Sequence, residues 1–82
     1  MTREEILKAI NMMYDVGASP EHYASVDFCA KRNDLNLYIM ANDSEGLTNG
    51  VEDSITIDKL DSEAVAWIER WTAALRKERV QV

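Results

Sequence analysis

Two stretches place an apolar residue at every second position: Val26, Phe28 and Ala30, then Leu35, Leu37, Ile39 and Ala41, with Asn33-Asp34 between them. A period of two puts all of these side chains on one face of a pair of strands, and that face must be covered to be stable. If Asn33 and Asp34 form a two-residue turn, Arg32 faces Leu35, and Ala30, Phe28 and Val26 face Leu37, Ile39 and Ala41. A slip of one residue would send the aliphatic residues to opposite faces, so the parity of the pairing is fixed by burial.

The cover comes from both ends of the chain. Thr2 and Glu5 form a capping box, in which hydroxyl and carboxylate each accept a backbone N–H left unpaired by the first turn. Ile6, Ile10 and Met13 follow on one helical stripe, flanked by Leu7, Ala9 and Tyr14. Gly17 can end the helix, and Pro20 prevents its resumption, so a helix is expected from about Arg3 to Val16. Asp61 caps a second helix, with Leu60 and Val65 in the positions of a hydrophobic staple. Ala64, Ile68, Trp71 and Leu75 form its buried stripe, and Arg76, Lys77 and Arg79 suit the negative end of its dipole.

A third strand is expected at Ser54 to Asp58, with Ile55 and Ile57 pointing inward. The stretch before it, Asn42 to Asp53, carries turn signals at Glu45-Gly46 and Asn49-Gly50, and reads as an exposed loop or a loop with a short fourth strand. The expected fold is α+β: order α-β-β-β-α, an antiparallel three-stranded sheet, and both helices on the face of Phe28 and Ile39. Tyr23, Asp27, Cys29, Tyr38 and Met40 then lie on the other, uncovered face.

At 82 residues the chain is expected to form a single domain, 1–82, burying roughly 60% of its unfolded surface. A hydrophobic fraction of 46% favours a packed core over a disordered chain despite the formal charge of −6. That charge opposes attraction to nucleic acid or to anionic lipid. No apolar run approaches a membrane span, the first residues lack the order of a secretory signal, and the single Cys29 cannot form an internal disulfide, so a cytoplasmic setting is expected.

Charge is segregated along the chain. Asp43, Glu45, Glu52, Asp53, Asp58, Asp61, Glu63 and Glu69 face one base, Lys59, whereas the last thirteen residues are net basic. Asp58, Asp61 and Glu63 are explained by a helix N-terminus. Asp43, Glu45, Glu52 and Asp53 have no such explanation, and are either a solvated surface or a site for a basic partner. Tyr38 and Met40 on the outer sheet face, and Trp67 at the margin of the second helix's stripe, are the candidate apolar contacts; Trp67 reads first as packing against the sheet edge, with a partly exposed binding anchor as the alternative.

No catalytic, cofactor or metal signature is present. The carboxylates do not follow the spacing of a calcium loop, His22, the only histidine, reads as an ordinary polar position, Cys29 has no activating base, and no serine sits in a nucleophile elbow.

The element order, with Pro20 and Tyr23 leading into the first strand, resembles the layout of double-stranded RNA-binding domains. That resemblance implies phosphate contact through a Lys-Lys-x-Ala-Lys run opening the second helix, but the matching positions read Asp61, Ser62, Glu63, Ala64 and Val65. A small acidic domain closing on Asp-Ser-Glu-Ala-Val-Ala-Trp-Ile-Glu-Arg-Trp also looks like the accessory proteins of bacteriophages, including anti-CRISPR proteins. This second resemblance implies a stoichiometric inhibitor in a bacterial host cytoplasm, a monomer or homodimer that engages a basic surface of a defence or nucleic-acid-binding complex. The alternative is a self-associating structural or adaptor module that uses the exposed sheet face.

Overall fold

The computed structural model describes residues 1–42 and 48–80. In chain order they form α1 (Arg3–Val16), β1 (His22–Cys29), β2 (Asp34–Asn42), β3 (Thr48–Ile57) and α2 (Ser62–Val80). The strands make one antiparallel sheet in the order β1-β2-β3.

Helix α1 starts and stops as its local chemistry dictates. Thr2 Oγ1 accepts the Glu5 N–H at 3.1 Å, and Glu5 Oε1 accepts the Thr2 N–H at 3.0 Å. The other carboxylate oxygen of Glu5 accepts the Leu60 N–H at 3.0 Å, joining the start of α1 to the approach to α2. The Leu60 and Thr2 amides together hold the Glu5 carboxyl below its ordinary value. Gly17 closes the helix at a positive φ of 69°, donating its N–H to Met13 O. At the other end of the molecule Arg79 donates to the carbonyls of Val16 and Ala18, so α1 and α2 lie side by side and run in the same direction.

The core is formed by Ala9, Met13 and Val16 of α1, Leu35, Leu37, Ile39 and Ile57 of the sheet, and Ala64, Trp67, Ile68 and Leu75 of α2. Both helices thus cover the Leu37 face, as the alternation requires. The buried stripe of α1 is rotated from the expected one: Ile6, Ala9, Met13 and Val16 face inward, while Ile10 is 39% exposed. Eight apolar residues between Ile6 and Val16 are more than one helix face can bury, and two stripes were available.

The hairpin keeps its faces and changes its partners. Cys29 pairs with Asp34, and Ala30 to Asn33 form a four-residue connection in which Asn33 alone has positive φ, 54°. Phe28 therefore faces Leu35, not Ile39, and Val26 faces Leu37, not Ala41. The register is displaced by an even number of residues, which preserves parity. Asp34 begins β2 and takes a hydrogen bond from Arg32 Nε at 3.1 Å, which closes the turn and raises the Arg32 guanidinium above its ordinary value. Phe28, expected at the centre of the core, lies at the turn end of β1 and is 44% exposed.

Strand β3 begins earlier than expected, at Thr48, and no fourth strand occurs among the described residues. Asn49-Gly50 is not a turn. Register irregularities between Ile39 and Met40 and between Ala41 and Asn42 let β3 continue along β2, and Gly50, at φ 111°, supplies backbone that an L side chain rarely adopts.

Candidate functional site

The residues expected to meet a partner separate into three groups. Asp43 and Glu45 lie outside the described residues. Asp53 and Trp67 are joined to each other by a hydrogen bond between β3 and α2. Tyr38, Met40 and Glu52 reach the surface at different places.

Asp53 pairs with Ile39 and stands on the helix-covered face of β3. Its Oδ2 accepts the indole N–H of Trp71 at 2.9 Å and of Trp67 at 3.1 Å, and its Oδ1 accepts the Ser54 N–H at 2.9 Å. The Trp71 bond is the largest cause holding its carboxyl below the ordinary value; partial burial opposes it, and the Ser54 and Trp67 bonds and Arg70 assist. The expectation of Asp53 as a free acidic contact is thereby corrected, because its lone pairs serve two indoles. Trp67 is likewise no exposed anchor: it is 5% exposed, packed between α2 and the sheet.

Beside this pair, His22 at the start of β1 donates Nδ1–H to Glu78 of α2, at 2.9 and 3.0 Å from the two carboxylate oxygens. Its ring lies 5.7 Å from that of Trp71, and Nε2 is 3.8 Å from the exposed Glu52. Ser19 Oγ donates to Glu78 and accepts the backbone N–H groups of Glu21 and His22. Burial raises the Glu78 carboxyl, but the bonds from His22 and Ser19 outweigh it and hold the group below its ordinary value. The carboxylate stands between hydroxyl and imidazole, so no ring nitrogen takes the serine proton, and the arrangement is a latch between β1 and α2.

Glu21, His22 and Glu78 each bring a ligand-type atom within 4.8 Å of the others, a donor set suited to a borderline divalent cation. An ion there would displace the bonds that Glu78 makes to His22 and Ser19. His22 was expected to be an ordinary polar position. Its partner lies 56 residues away in the chain, and no local pattern connects them.

Tyr38 and Met40 are half-buried on the outer sheet face, Tyr38 between Ser25 and Ser54 and Met40 between Tyr23 and Val51. The more open apolar surface is one the sequence reading missed. Leu7, Ile10 and Tyr14 follow one another along α1 and are 55, 39 and 83% exposed. Next to them a groove of about 190 Å³ runs between α1 and β1, lined by Ile10, Met13, Tyr14, Ala24, Ser25 and Val26. Strand β1 is an edge of the sheet. The excess of apolar residues in α1 was the available signal.

Comparison of the chain with protein-family models, with curated proteins and with solved structures found no match.

Proposed function

We propose that this chain is a non-catalytic protein-binding module that acts by occupying a surface of another protein. The observation that carries this reading is the uncovered apolar face of α1 beside the open edge of β1, on a molecule whose helices already cover a complete core. A net charge of −6 favours a partner with a basic surface and speeds its approach. The exposed Glu63 and the Asp61 cap at the start of α2 disfavour phosphate contact there. Stoichiometric inhibition of a host complex in a bacterial cytoplasm, in the manner of small phage accessory and anti-CRISPR proteins, is the form of this function that the size and acidity support.

The test is quantitative capture from a bacterial lysate with tagged wild type and with Ile10→Ser/Tyr14→Ser, both positions being exposed enough to leave the fold intact. A partner retained in stoichiometric amount by the wild type should fall at least tenfold with the variant. Equal retention by a folded variant would remove this face from the function.

Self-association through the outer sheet face is the second reading, favoured by the row Tyr23, Met40 and Val51 across three strands, with Val51 55% exposed. It requires a salt-resistant dimer in sedimentation that Val51→Ser converts to monomer.

A further inference from the structure

The open edge of β1 has a definite hydrogen-bonding pattern. Ala24 donates its N–H to Gly17 O at 2.8 Å, and His22 O accepts the Ser19 N–H at 2.7 Å, so His22 and Ala24 turn their backbone groups away from β2. In an antiparallel strand every second residue does the same, which gives Val26 and Phe28 outward N–H and C=O groups. Among the described residues these four groups have no hydrogen-bond partner. The segment Gly17 to Ser19 covers the edge on one side, and the turn at Ala30 ends it on the other. What remains is a window of three residues, Val26-Asp27-Phe28.

The two faces of this window differ. Val26 and Phe28 point to the helix side, since Val26 pairs with the buried Leu37 and Phe28 with the buried Leu35. A strand laid beside β1 would therefore drop the side chain opposite Val26 beside the groove of Ile10, Met13 and Tyr14, and the one opposite Phe28 on the same face, two residues nearer the turn. Asp27 is exposed and points to the outer face, where the added strand's middle residue would stand next to it.

A second copy is a poor occupant. The two-fold pairing that satisfies all four outward groups sets Val26 opposite Phe28 of the partner and Asp27 opposite its own copy. That contact falls in a non-hydrogen-bonded pair, where side chains are closest and like charges repel. Centring the axis on Val26 would need Ala24, whose N–H is already bonded to Gly17, and centring it on Phe28 would need Ala30, which lies beyond the strand. An edge aspartate of this kind protects against self-pairing. The same charge selects a basic residue on a foreign strand.

We infer that β1 accepts an extended segment of a partner protein as an added antiparallel strand, with an apolar-basic-apolar triplet whose apolar side chains lie on the helix side, the one opposite Val26 in the α1–β1 groove and the other beside the exposed Phe28, and whose lysine or arginine faces Asp27. This rests on the protein-binding reading above and names its chemistry.

The probe is an end-blocked heptapeptide with isoleucine, arginine and isoleucine at its centre and threonines outside, titrated into the full-length, 15N-labelled protein. Saturation should slow amide exchange at Val26 and Phe28 at least tenfold. Replacing the arginine by glutamate should weaken binding at least tenfold, and N-methylating the two isoleucine nitrogens should abolish the protection. Asp27→Lys should invert the preference between the two peptides, with the unchanged amide spectrum of β3 and α2 reporting an intact fold. No binding at millimolar peptide, binding indifferent to the central charge, or shifts on α1 without protection of Val26 and Phe28 would each overturn strand addition. So would protection of those two amides in a peptide-free dimer, which would make a second copy the occupant. Should the peptide fail while Ile10→Ser/Tyr14→Ser still loses the captured partner, the binding function stands and only the strand mode falls.

Discussion

Trp71 donates its indole N–H to Asp53 across 2.9 Å, fastening the middle of α2 to the edge strand β3. The same carboxylate oxygen takes the N–H of the buried Trp67. One aspartate thereby satisfies the N–H of the buried Trp67 and that of the half-buried Trp71.

Asp53→Ala should destabilise the protein by about 2 to 3 kcal/mol, because it leaves the buried Trp67 N–H and the half-buried Trp71 N–H without an acceptor. Asp53→Asn should cost less, since the amide oxygen can still accept. Urea unfolding followed by tryptophan fluorescence measures both. Equal stability of Asp53→Ala and wild type would show that water replaces the carboxylate without loss.

The displaced register predicts which hairpin residue holds the core. Leu37→Ala, fully buried at the centre of β2, should cost about 3 to 4 kcal/mol, a large share of the stability of a domain this small. Phe28→Ala, at the exposed turn end of β1, should cost about 1 kcal/mol. Thermal melts showing the opposite order would return Phe28 to the core.

Glu78 is held below its ordinary value of 4.5 by His22 and Ser19, in spite of burial. A carboxyl depressed in the folded state binds protons more weakly there than in the unfolded chain. Its contribution to stability is therefore complete above the ordinary value and is lost as pH falls through the depressed folded value. Glu78→Gln should be less stable than wild type at pH 7, with a gap that closes on going down through pH 4. Asp53, depressed mainly by Trp71 from an ordinary value of 3.8, works in the same direction at lower pH, so the wild-type melting temperature should go on falling below that value. A gap between wild type and Glu78→Gln that persists unchanged to pH 3 would contradict the latch.

The helices were legible in the sequence because their ends are chosen by neighbours: Thr2 with Glu5, Gly17 after Val16, and Asp61, whose Oδ1 takes the Ala64 N–H at 3.0 Å. Strand faces were legible through parity. Strand partners were not, because moving Phe28 from Ile39 to Leu35 leaves every side chain on its face. Asn49-Gly50 has the composition of a turn, and only pairing with β2 shows that it lies within a strand. The bonds of Asp53 to Trp71 and of His22 to Glu78 span 18 and 56 residues, with nothing local to announce them. The α1 surface was half legible: the excess of apolar residues was visible, but the stripe that the core would take, with Ala9 and Val16 joining Ile6 and Met13 in place of Ile10, depends on the sheet beneath it.

Binding through the α1 face is tested most directly by the affinity of the captured partner for Tyr14→Ala compared with Tyr38→Ala. Tyr14 is the most exposed residue of the α1 face and Tyr38 stands on the opposite side of the sheet, so each truncation probes one surface of a folded protein. Loss of a central aromatic contact costs about 2 kcal/mol or more, roughly thirtyfold in Kd. Binding through the α1 face requires that loss for Tyr14→Ala and a Kd within about twofold of wild type for Tyr38→Ala. A thirtyfold loss with Tyr38→Ala and none with Tyr14→Ala would contradict it and assign binding to the outer sheet face.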